Sequence, residues 1–218
     1  MFILQTASVA LQKSERSDVG VYVGVEPSGQ ASTQSEANVY SASGGSASIT
    51  SGRLSYTKGL LGPCLSIDTA CSSALSALHV ARVAIIHGEC VEALVAGTKA
   101  LSETSNAATA VAGMTSWHGR CHSFDLRADG YCRGEGCVAF LLLNSDESMS
   151  EFAVTGSAVR QDGPSASLTA PNGSSQKRLL MAVGESTPAA LEAHGTGTAL
   201  GDPIEVGAAV GALCRDGN

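Results

Sequence analysis

Cysteine is the residue type in this sequence best suited to covalent chemistry, and one cysteine has an unusual setting. Cys71 follows a segment, 64–70, in which apolar and polar residues alternate at the spacing of a strand, and it precedes a run with helical spacing. The start of a helix gathers unpaired N–H groups and positive dipole charge, which favour a thiolate placed there. Cys71 is therefore predicted to be a nucleophile. The alternative, that it is one of seven small buried thiols, is left open by position alone.

A histidine provides the second candidate group. His194 begins the run HGTGT, in which two glycines let the backbone pass close to a ligand. Thr196 and Thr198 would point to the same side of an extended segment, so we expect a small binding ledge here. A lone histidine before a turn is usually structural, and its pairing with Cys71 is what favours a catalytic role.

The residues that follow Thr198 are interpreted as having a structural role and no catalytic one. Asp202 is predicted to cap a helix, with Pro203 at its first position and Glu205 closing a capping box.

The sequence also contains a cluster of nitrogen and sulfur side chains, and its members are His118, Cys121, His122, Cys132 and Cys137. Their spacings match no zinc finger or ribbon, so no metal site is predicted. The following glycine-rich stretch, 123–136, carries charges of both signs and no Walker lysine, which argues against phosphate binding. We expect a loop held by its own ion pairs.

The elements that must position these groups alternate between strand and helix patterns. The predicted strands are 21–25, 64–70, 91–97, 137–143, 152–159 and 190–193, of which 91–97 and 137–143 are expected to be buried on both faces. The predicted helices are 72–87, 176–183 and 203–213, and the Ser/Gly/Thr-rich stretch 27–52 is expected to be loop with some weak helix. This order predicts an α/β protein with a layered sheet.

The amino-acid composition argues against two classes of function, nucleic-acid binding and membrane spanning. The 218 residues are 44% hydrophobic, enough for one core or two small lobes, and the net charge is -7 without any dense Lys/Arg run, so nucleic acid is not an expected partner. No apolar run reaches the length of a membrane span, and the apolar start lacks the features of a signal peptide. We expect a cytoplasmic protein with reduced thiols.

Four ordered segments together resemble one family, the beta-ketoacyl synthases of type I polyketide and fatty acid synthesis. The segments are DTACSSALSALHVA from Asp68, CHSFDLRADGYCRGEG from Cys121, GSAVRQDG with LTAPNG between Gly156 and Gly173, and EAHGTGTALGDPIE from Glu192. The resemblance implies a thiolase-like fold in five α-β-α-β-α layers, incomplete here. Residues 1–150 would form most of the N-terminal half without its first strand, and 151–218 the beginning of the C-terminal half.

The resemblance also implies a reaction. Cys71 would accept an acyl group, His194 would assist decarboxylation of a malonyl-type unit, and Thr196 and Thr198 would contact the pantetheine arm. The substrates would be phosphopantetheine-linked acyl and malonyl thioesters, with no tightly bound cofactor. The expected partners are an acyl carrier protein and, in the full-length domain, a second copy in a homodimer.

Some family motifs have no counterpart in these 218 residues, namely the second catalytic histidine, a downstream lysine and the glycine-phenylalanine segment of the oxyanion hole. We therefore expect the isolated chain not to condense thioesters. Two alternatives are kept: a non-catalytic scaffold or dimer partner that binds acyl carrier protein, and an unrelated thiol hydrolase that uses Cys71 and His194.

Overall fold

The computed structural model describes residues 2–14, 17–26, 39, 44, 46–144, 152–167, 169–184 and 188–214. The chain forms two compact units. The first comprises Met1–Ser105 and Gly134–Glu151, and the second comprises Asn106–Arg133 and Phe152–Asn218. Within the described ranges, no helix combines the length and the apolar character needed to cross a membrane. Most of the predicted loop 27–52 lies outside the described residues.

The principal helices and strands, in chain order, are α1 (Phe2–Ala10), β1 (Val19–Val25), α2 (Ile49–Lys58), β2 (Cys64–Ile67), α3 (Ser73–Ile86), β3 (Glu92–Lys99), α4 (Glu103–Val111), β4 (Gly136–Leu143), α5 (Gly173–Val183) and α6 (Gly201–Leu213). The four strands form one sheet in the order β2-β1-β3-β4. Strand β1 is parallel to both β2 and β3, and β4 runs antiparallel to β3. The α/β class expected from the alternating pattern is thus confirmed.

The sheet of the first unit carries an apolar layer on each face because successive side chains of a strand point to opposite sides. One face of β1 and β3 contributes Val21, Val23 and Leu94 to a core with Ala7 of α1 and Leu54 of α2.

The opposite face contributes Tyr22, Ala93 and Val95, which pack with the alanines of α3, namely Ala77, Ala81 and Ala84. These small side chains let α3 approach the sheet closely. Helices therefore cover both faces of the central strands.

Strand β4 differs from the prediction of a strand buried on both faces. Val138 is 66% exposed and Phe140 is 40% exposed. Strand β4 is the last strand in the sheet order, and of its α3-facing residues Leu142 packs against the α3 core while Val138 and Phe140 remain exposed. By contrast, β3 is buried as predicted, from Ala93 to Ala96.

The second unit contains the helices α5 and α6, which pack against each other. Both begin before the predicted starts at 176 and 203. The predicted strands 152–159 and 190–193 are wrong, since both segments have irregular backbone. Apolar runs of that length form strands only when a neighbouring strand pairs with their N–H and C=O groups, and no described residue provides such a strand there.

Candidate functional site

Cys71 lies in a single 3-10 turn, Ala70–Ser72, between the end of β2 at Ile67 and the start of α3 at Ser73. Its side chain is exposed. The predicted strand-turn-helix setting is therefore confirmed, although the strand ends three residues earlier than expected. A cysteine at this point faces reagents in solution next to the amino end of a 14-residue helix.

The turn before Cys71 is fixed by hydrogen bonds to its own backbone. The Asp68 carboxylate accepts a hydrogen bond from Ala70 N at 3.0 Å. The Ser73 hydroxyl accepts from Thr69 N at 2.8 Å and donates to Ala70 O at 2.7 Å. These contacts hold Ala70 at a φ of 54°, a left-handed conformation that costs a residue other than glycine about 1–2 kcal/mol. The strained residue directly precedes the sulfur-bearing one.

A second set of hydroxyls ties the turn to the helix that follows it. Ser72 Oγ donates to Thr69 O at 2.9 Å, and Thr69 Oγ1 lies 3.0 Å from Ser76 Oγ. The side chains on both sides of Cys71 therefore make hydrogen bonds within the turn and the start of α3, while the cysteine side chain remains exposed. The part that these serine, threonine and aspartate side chains play in holding the turn was not predicted from the sequence. Such residues commonly make hydrogen bonds to nearby backbone groups, and this tendency was the available signal.

Two glycines set the distance between the start of α3 and the sheet. A Cβ atom on Gly24 would lie 2.5 Å from Ala74 N, and one on Gly97 would lie 2.9 Å from Ala74 Cβ. Both distances are far below van der Waals contact, so glycine is required on these two strands. The start of α3, which follows Cys71 directly, therefore packs closely against β1 and β3.

The other thiols differ in setting from Cys71. Cys90 is 2% exposed, and burial raises the pKa of its thiol. Cys64 and Cys214 are exposed but do not lie at the start of a helix. Exposure together with a helix start therefore distinguishes Cys71 from these three.

His194 lies in the second unit on an irregular segment held by a carboxylate of α6. Glu205 accepts hydrogen bonds from His194 N at 2.6 Å and from Gly195 N at 2.8 Å. The side chain of His194 is exposed. The histidine backbone is thus fixed and its imidazole is accessible.

A second carboxylate of α6 holds the same segment further along. Asp202, which is 3% exposed, accepts hydrogen bonds from Gly197 N at 3.1 Å and from Phe124 N at 2.7 Å. The predicted capping box is therefore wrong, because Leu200 is the N-cap residue and makes no side-chain cap. The carboxylates of Asp202 and Glu205 bind the HGTGT backbone instead of their own helix.

Thr196 and Thr198 are brought together as predicted. Their hydroxyl oxygens are 3.2 Å apart, and Thr198 Oγ1 also accepts from Gly201 N at 3.1 Å. The backbone is not extended, since Gly195 and Gly197 have φ values of 51° and 71°. Glycine tolerates these left-handed angles, and the segment therefore turns while keeping both hydroxyls together.

The glycine-rich stretch 123–136 contributes to this ledge, which sequence reasoning missed. Gly130 N donates to Gly197 O at 2.9 Å, and Ser123 Oγ donates to Gly195 O. A Cβ on Gly197 would lie 2.9 Å from His122 N, so the two segments are in close contact. The repeated glycines were the available signal for such a close approach.

One predicted ion pair in this stretch is present. Arg127 binds Asp125 through two nitrogens at 2.9 and 2.8 Å, and this hydrogen-bonded guanidinium holds the pKa of the Asp125 carboxyl well below its usual range. Glu135 instead accepts from Leu101 N at 3.2 Å, and Arg133 donates to Thr109 Oγ1 at 3.3 Å. The loop is therefore held only partly by its own charges.

The described part of the chain contains no group of three or more His, Cys, Asp or Glu side chains arranged to hold a metal ion. In the predicted nitrogen-sulfur cluster, the Cys121 sulfur instead accepts a hydrogen bond from Cys132 N at 3.1 Å. The predicted absence of a metal remains a prediction.

Comparison with known families gives two adjoining matches. The model described as beta-ketoacyl synthase, N-terminal domain, matches residues 3–148, and the model described as beta-ketoacyl synthase, C-terminal domain, matches residues 152–218. The chain is 39% identical to erythronolide synthase EryA2 of Saccharopolyspora erythraea over 98% of its own length and 7% of that protein. It is 45% identical to the polyketide synthase GfsE of Streptomyces halstedii over 83% of its length and 5% of that protein.

Solved structures give the same result for the fold. The ketosynthase from module 6 of the bacillaene synthase of Bacillus subtilis superposes with a TM-score of 0.81 at 33% identity, over 97% of this chain and 39% of that one. The oxazolomycin ketosynthase domain OzmH KS7 of Streptomyces albus gives a TM-score of 0.80 at 31% identity, over 97% and 40%. The thiolase-like fold class is confirmed, and the chain spans about two-fifths of these structures.

Proposed function

Because this chain belongs to the beta-ketoacyl synthase family, as part of a type I polyketide ketosynthase domain, we propose that it carries the acyl-accepting nucleophile of a condensing enzyme. The parent domain would join an acyl thioester to a malonyl-type extender in polyketide or fatty acid synthesis. Residues 1–150 would supply the nucleophile, and 151–218 the first histidine.

In the loading step, the Cys71 thiolate attacks the carbonyl carbon of an acyl group carried on phosphopantetheine. The new sulfur-carbon bond forms as the pantetheine sulfur leaves, and that sulfur takes up the proton that Cys71 gave away. The exchange replaces one thioester bond with another, so it is nearly neutral in free energy, and the thiolate is the reactive form of the cysteine. No cofactor is consumed in this step.

In the extension step, a malonyl thioester loses carbon dioxide and becomes an enolate. The imidazole of His194 would donate a hydrogen bond to the enolate oxygen, where negative charge develops. The nucleophilic carbon then attacks the acyl group on Cys71, and the Cys71 sulfur leaves as a β-ketoacyl thioester is released. Thr196 and Thr198 would bind the pantetheine arm through their adjacent hydroxyls.

The observation that carries the proposal is the setting of Cys71. Its exposed side chain occupies a turn held by Asp68 and Ser73, directly after the left-handed Ala70 and directly before α3. Strained backbone of this kind is concentrated at functional sites, and the start of a helix favours a thiolate. Both features are independent of the family resemblance.

Acyl loading gives the direct test. The chain is incubated with propionyl-coenzyme A, and its intact mass is measured with and without Cys71→Ala. We expect one propionyl adduct that Cys71→Ala abolishes and that Cys64→Ala, a change at an exposed cysteine of the preceding strand, leaves unchanged. An adduct that persists in Cys71→Ala would contradict the proposal.

Two further outcomes separate the alternatives. If no adduct forms and an acyl carrier protein still binds, the chain acts as a scaffold and the acyl-accepting role fails. Peptide or ester hydrolysis that Cys71→Ala abolishes would favour a hydrolase.

For these 218 residues alone, we propose loading without condensation, so malonyl-coenzyme A added to the loaded chain yields no β-ketoacyl product.

A further inference from the structure

Cys121 and Cys132 lie side by side in the second unit, at the two ends of a loop. The sulfur of Cys121 accepts a hydrogen bond from Cys132 N at 3.1 Å and lies 3.9 Å from Cys132 O. Both side chains are exposed, so a small oxidant in solution can reach either sulfur. The acyl transfer proposed for Cys71 uses neither sulfur of this pair.

The position of the Cys121 sulfur beside the Cys132 backbone is compatible with a disulfide between the two residues. Since an N–Cα bond is about 1.5 Å long, the Cys121 sulfur lies within about 4.6 Å of the Cys132 Cα atom. In disulfides the two Cα atoms are about 4.4–6.8 Å apart and the two Cβ atoms about 3.5–4.5 Å apart. The Cys132 sulfur itself donates to Arg133 O at 3.7 Å, so the bond closes when this side chain rotates toward Cys121.

The loop between these cysteines contacts the HGTGT segment. Phe124 N binds the Asp202 carboxylate at 2.7 Å, and Gly130 N donates to Gly197 O at 2.9 Å. A bond across the base of the loop would restrict the motions that break these two contacts. The oxidation state of the pair would then affect the order of the backbone beside His194.

We propose that Cys121 and Cys132 form a reversible dithiol–disulfide pair whose oxidation locks the loop 121–132. The oxidant is a low-molecular-weight disulfide, such as oxidised glutathione. One cysteine thiolate attacks it and releases one glutathione thiol, and the second cysteine thiolate then attacks the mixed disulfide and releases the other. Both cysteine sulfurs are oxidised, both glutathione sulfurs are reduced, and the two cysteine protons end on the glutathione thiols.

The test uses the Cys71→Ala chain, so that its result does not depend on the proposed acyl-accepting role. After incubation with oxidised glutathione, we expect a disulfide-linked peptide pair containing residues 121 and 132, which dithiothreitol removes, whereas the other exposed cysteines, Cys64 and Cys214, carry only glutathione adducts. Adding Cys132→Ser should abolish the internal disulfide and leave a glutathione adduct. Adding Cys214→Ser, a change at an exposed cysteine outside the pair, should leave the disulfide unchanged.

Two results would overturn the proposal. The first is that no bond forms between residues 121 and 132, so that both cysteines carry stable glutathione adducts or disulfides link other pairs. The other is amide hydrogen exchange in the peptide 121–132 that stays the same after the bond forms, because a locked loop must exchange more slowly. Urea unfolding of the reduced Cys132→Ser chain checks that this variant folds.

Discussion

The carboxylate of Glu205 holds the backbone of His194, accepting a hydrogen bond from His194 N at 2.6 Å. The second oxygen of the same carboxylate accepts from Gly195 N at 2.8 Å. An acidic residue one turn into α6 therefore determines where the histidine main chain lies, while the histidine side chain remains exposed.

Replacing Glu205 with glutamine should destabilise the second unit. Glutamine has one acceptor oxygen and an NH₂ group, so one of the two N–H groups loses its partner, and bonds to a charged acceptor contribute about 1.5–3 kcal/mol. We expect Glu205→Gln to lower the free energy of unfolding by about 1–3 kcal/mol in urea titrations. Glu192→Gln, at an exposed position of the same segment, serves as control and should change it by less than about 0.5 kcal/mol. Equal effects of the two variants would contradict this role for Glu205.

A second prediction concerns the close packing of the start of α3 against the sheet. Gly24→Ala would put a Cβ 2.5 Å from Ala74 N, so the start of α3 must move away from β1. We expect a loss of about 1–3 kcal/mol in unfolding free energy and slower propionyl loading of Cys71, measured by mass against time.

The matched control lies on a helix with open space around it. Gly52→Ala adds a methyl group that contacts nothing within 4 Å, and alanine favours helix over glycine, so stability should stay equal or rise by up to about 1 kcal/mol. Loading as fast in Gly24→Ala as in the unchanged chain would show that the helix start does not position Cys71.

A third prediction concerns pH and the buried Cys90. Burial raises the pKa of the Cys90 thiol, and burial also raises the pKa of the neighbouring Tyr22. The unfolded chain ionises these groups at about pH 8.5 and 10, while the folded chain keeps them protonated to higher pH. Their contribution to stability is therefore complete below about pH 8.5 and is lost as pH rises through the folded pKa values.

Urea unfolding between about pH 7 and pH 10 measures this loss. The unchanged chain should become less stable as pH rises, and Cys90→Ala should reduce the slope even though the cavity lowers stability at every pH. Tyr22→Phe should reduce the slope of stability against pH only at the upper end of this range, at about pH 10. A slope that is identical in Cys90→Ala would exclude the thiol as its source.

The threonine pair gives a fourth prediction, which depends on the proposed function. Thr196→Val removes a hydroxyl that would bind the pantetheine arm and should raise the KM for propionyl-coenzyme A about 5–10-fold, with little change in kcat of loading, as expected for lost ground-state binding. Thr198→Val should do the same and also lower stability by about 1 kcal/mol, because Thr198 Oγ1 accepts from Gly201 N. An unchanged KM in both variants would remove the threonines from the binding site.

The sequence predicted the part of the fold that is determined by nearby residues. The period-two pattern before Cys71 and the alanine-rich helical pattern after it identified β2, α3 and the turn between them. Segments 152–159 and 190–193 were predicted as strands on the same kind of evidence, but strand formation depends on a pairing partner that local pattern does not reveal.

The prediction at Asp202 failed for a related reason. An aspartate before a proline has the pattern of a helix cap, and the pattern does not show that Gly197 N and Phe124 N offer better-placed donors to the same carboxylate. Phe124 is 78 residues away in the chain. Hydrogen bonds over that separation are set by tertiary structure, so only the glycines of HGTGT hinted at a close neighbour.

We propose that Cys71 and His194 serve one reaction. This claim is tested most directly by changing His194→Cys and treating the reduced chain with dibromobimane, which joins two thiols only when they are close together. We expect a bimane bridge between positions 71 and 194 within a single chain, absent after Cys71→Ala and absent when Leu191→Cys replaces His194→Cys. Bridges from position 194 to other cysteines, with none to Cys71, would contradict the claim.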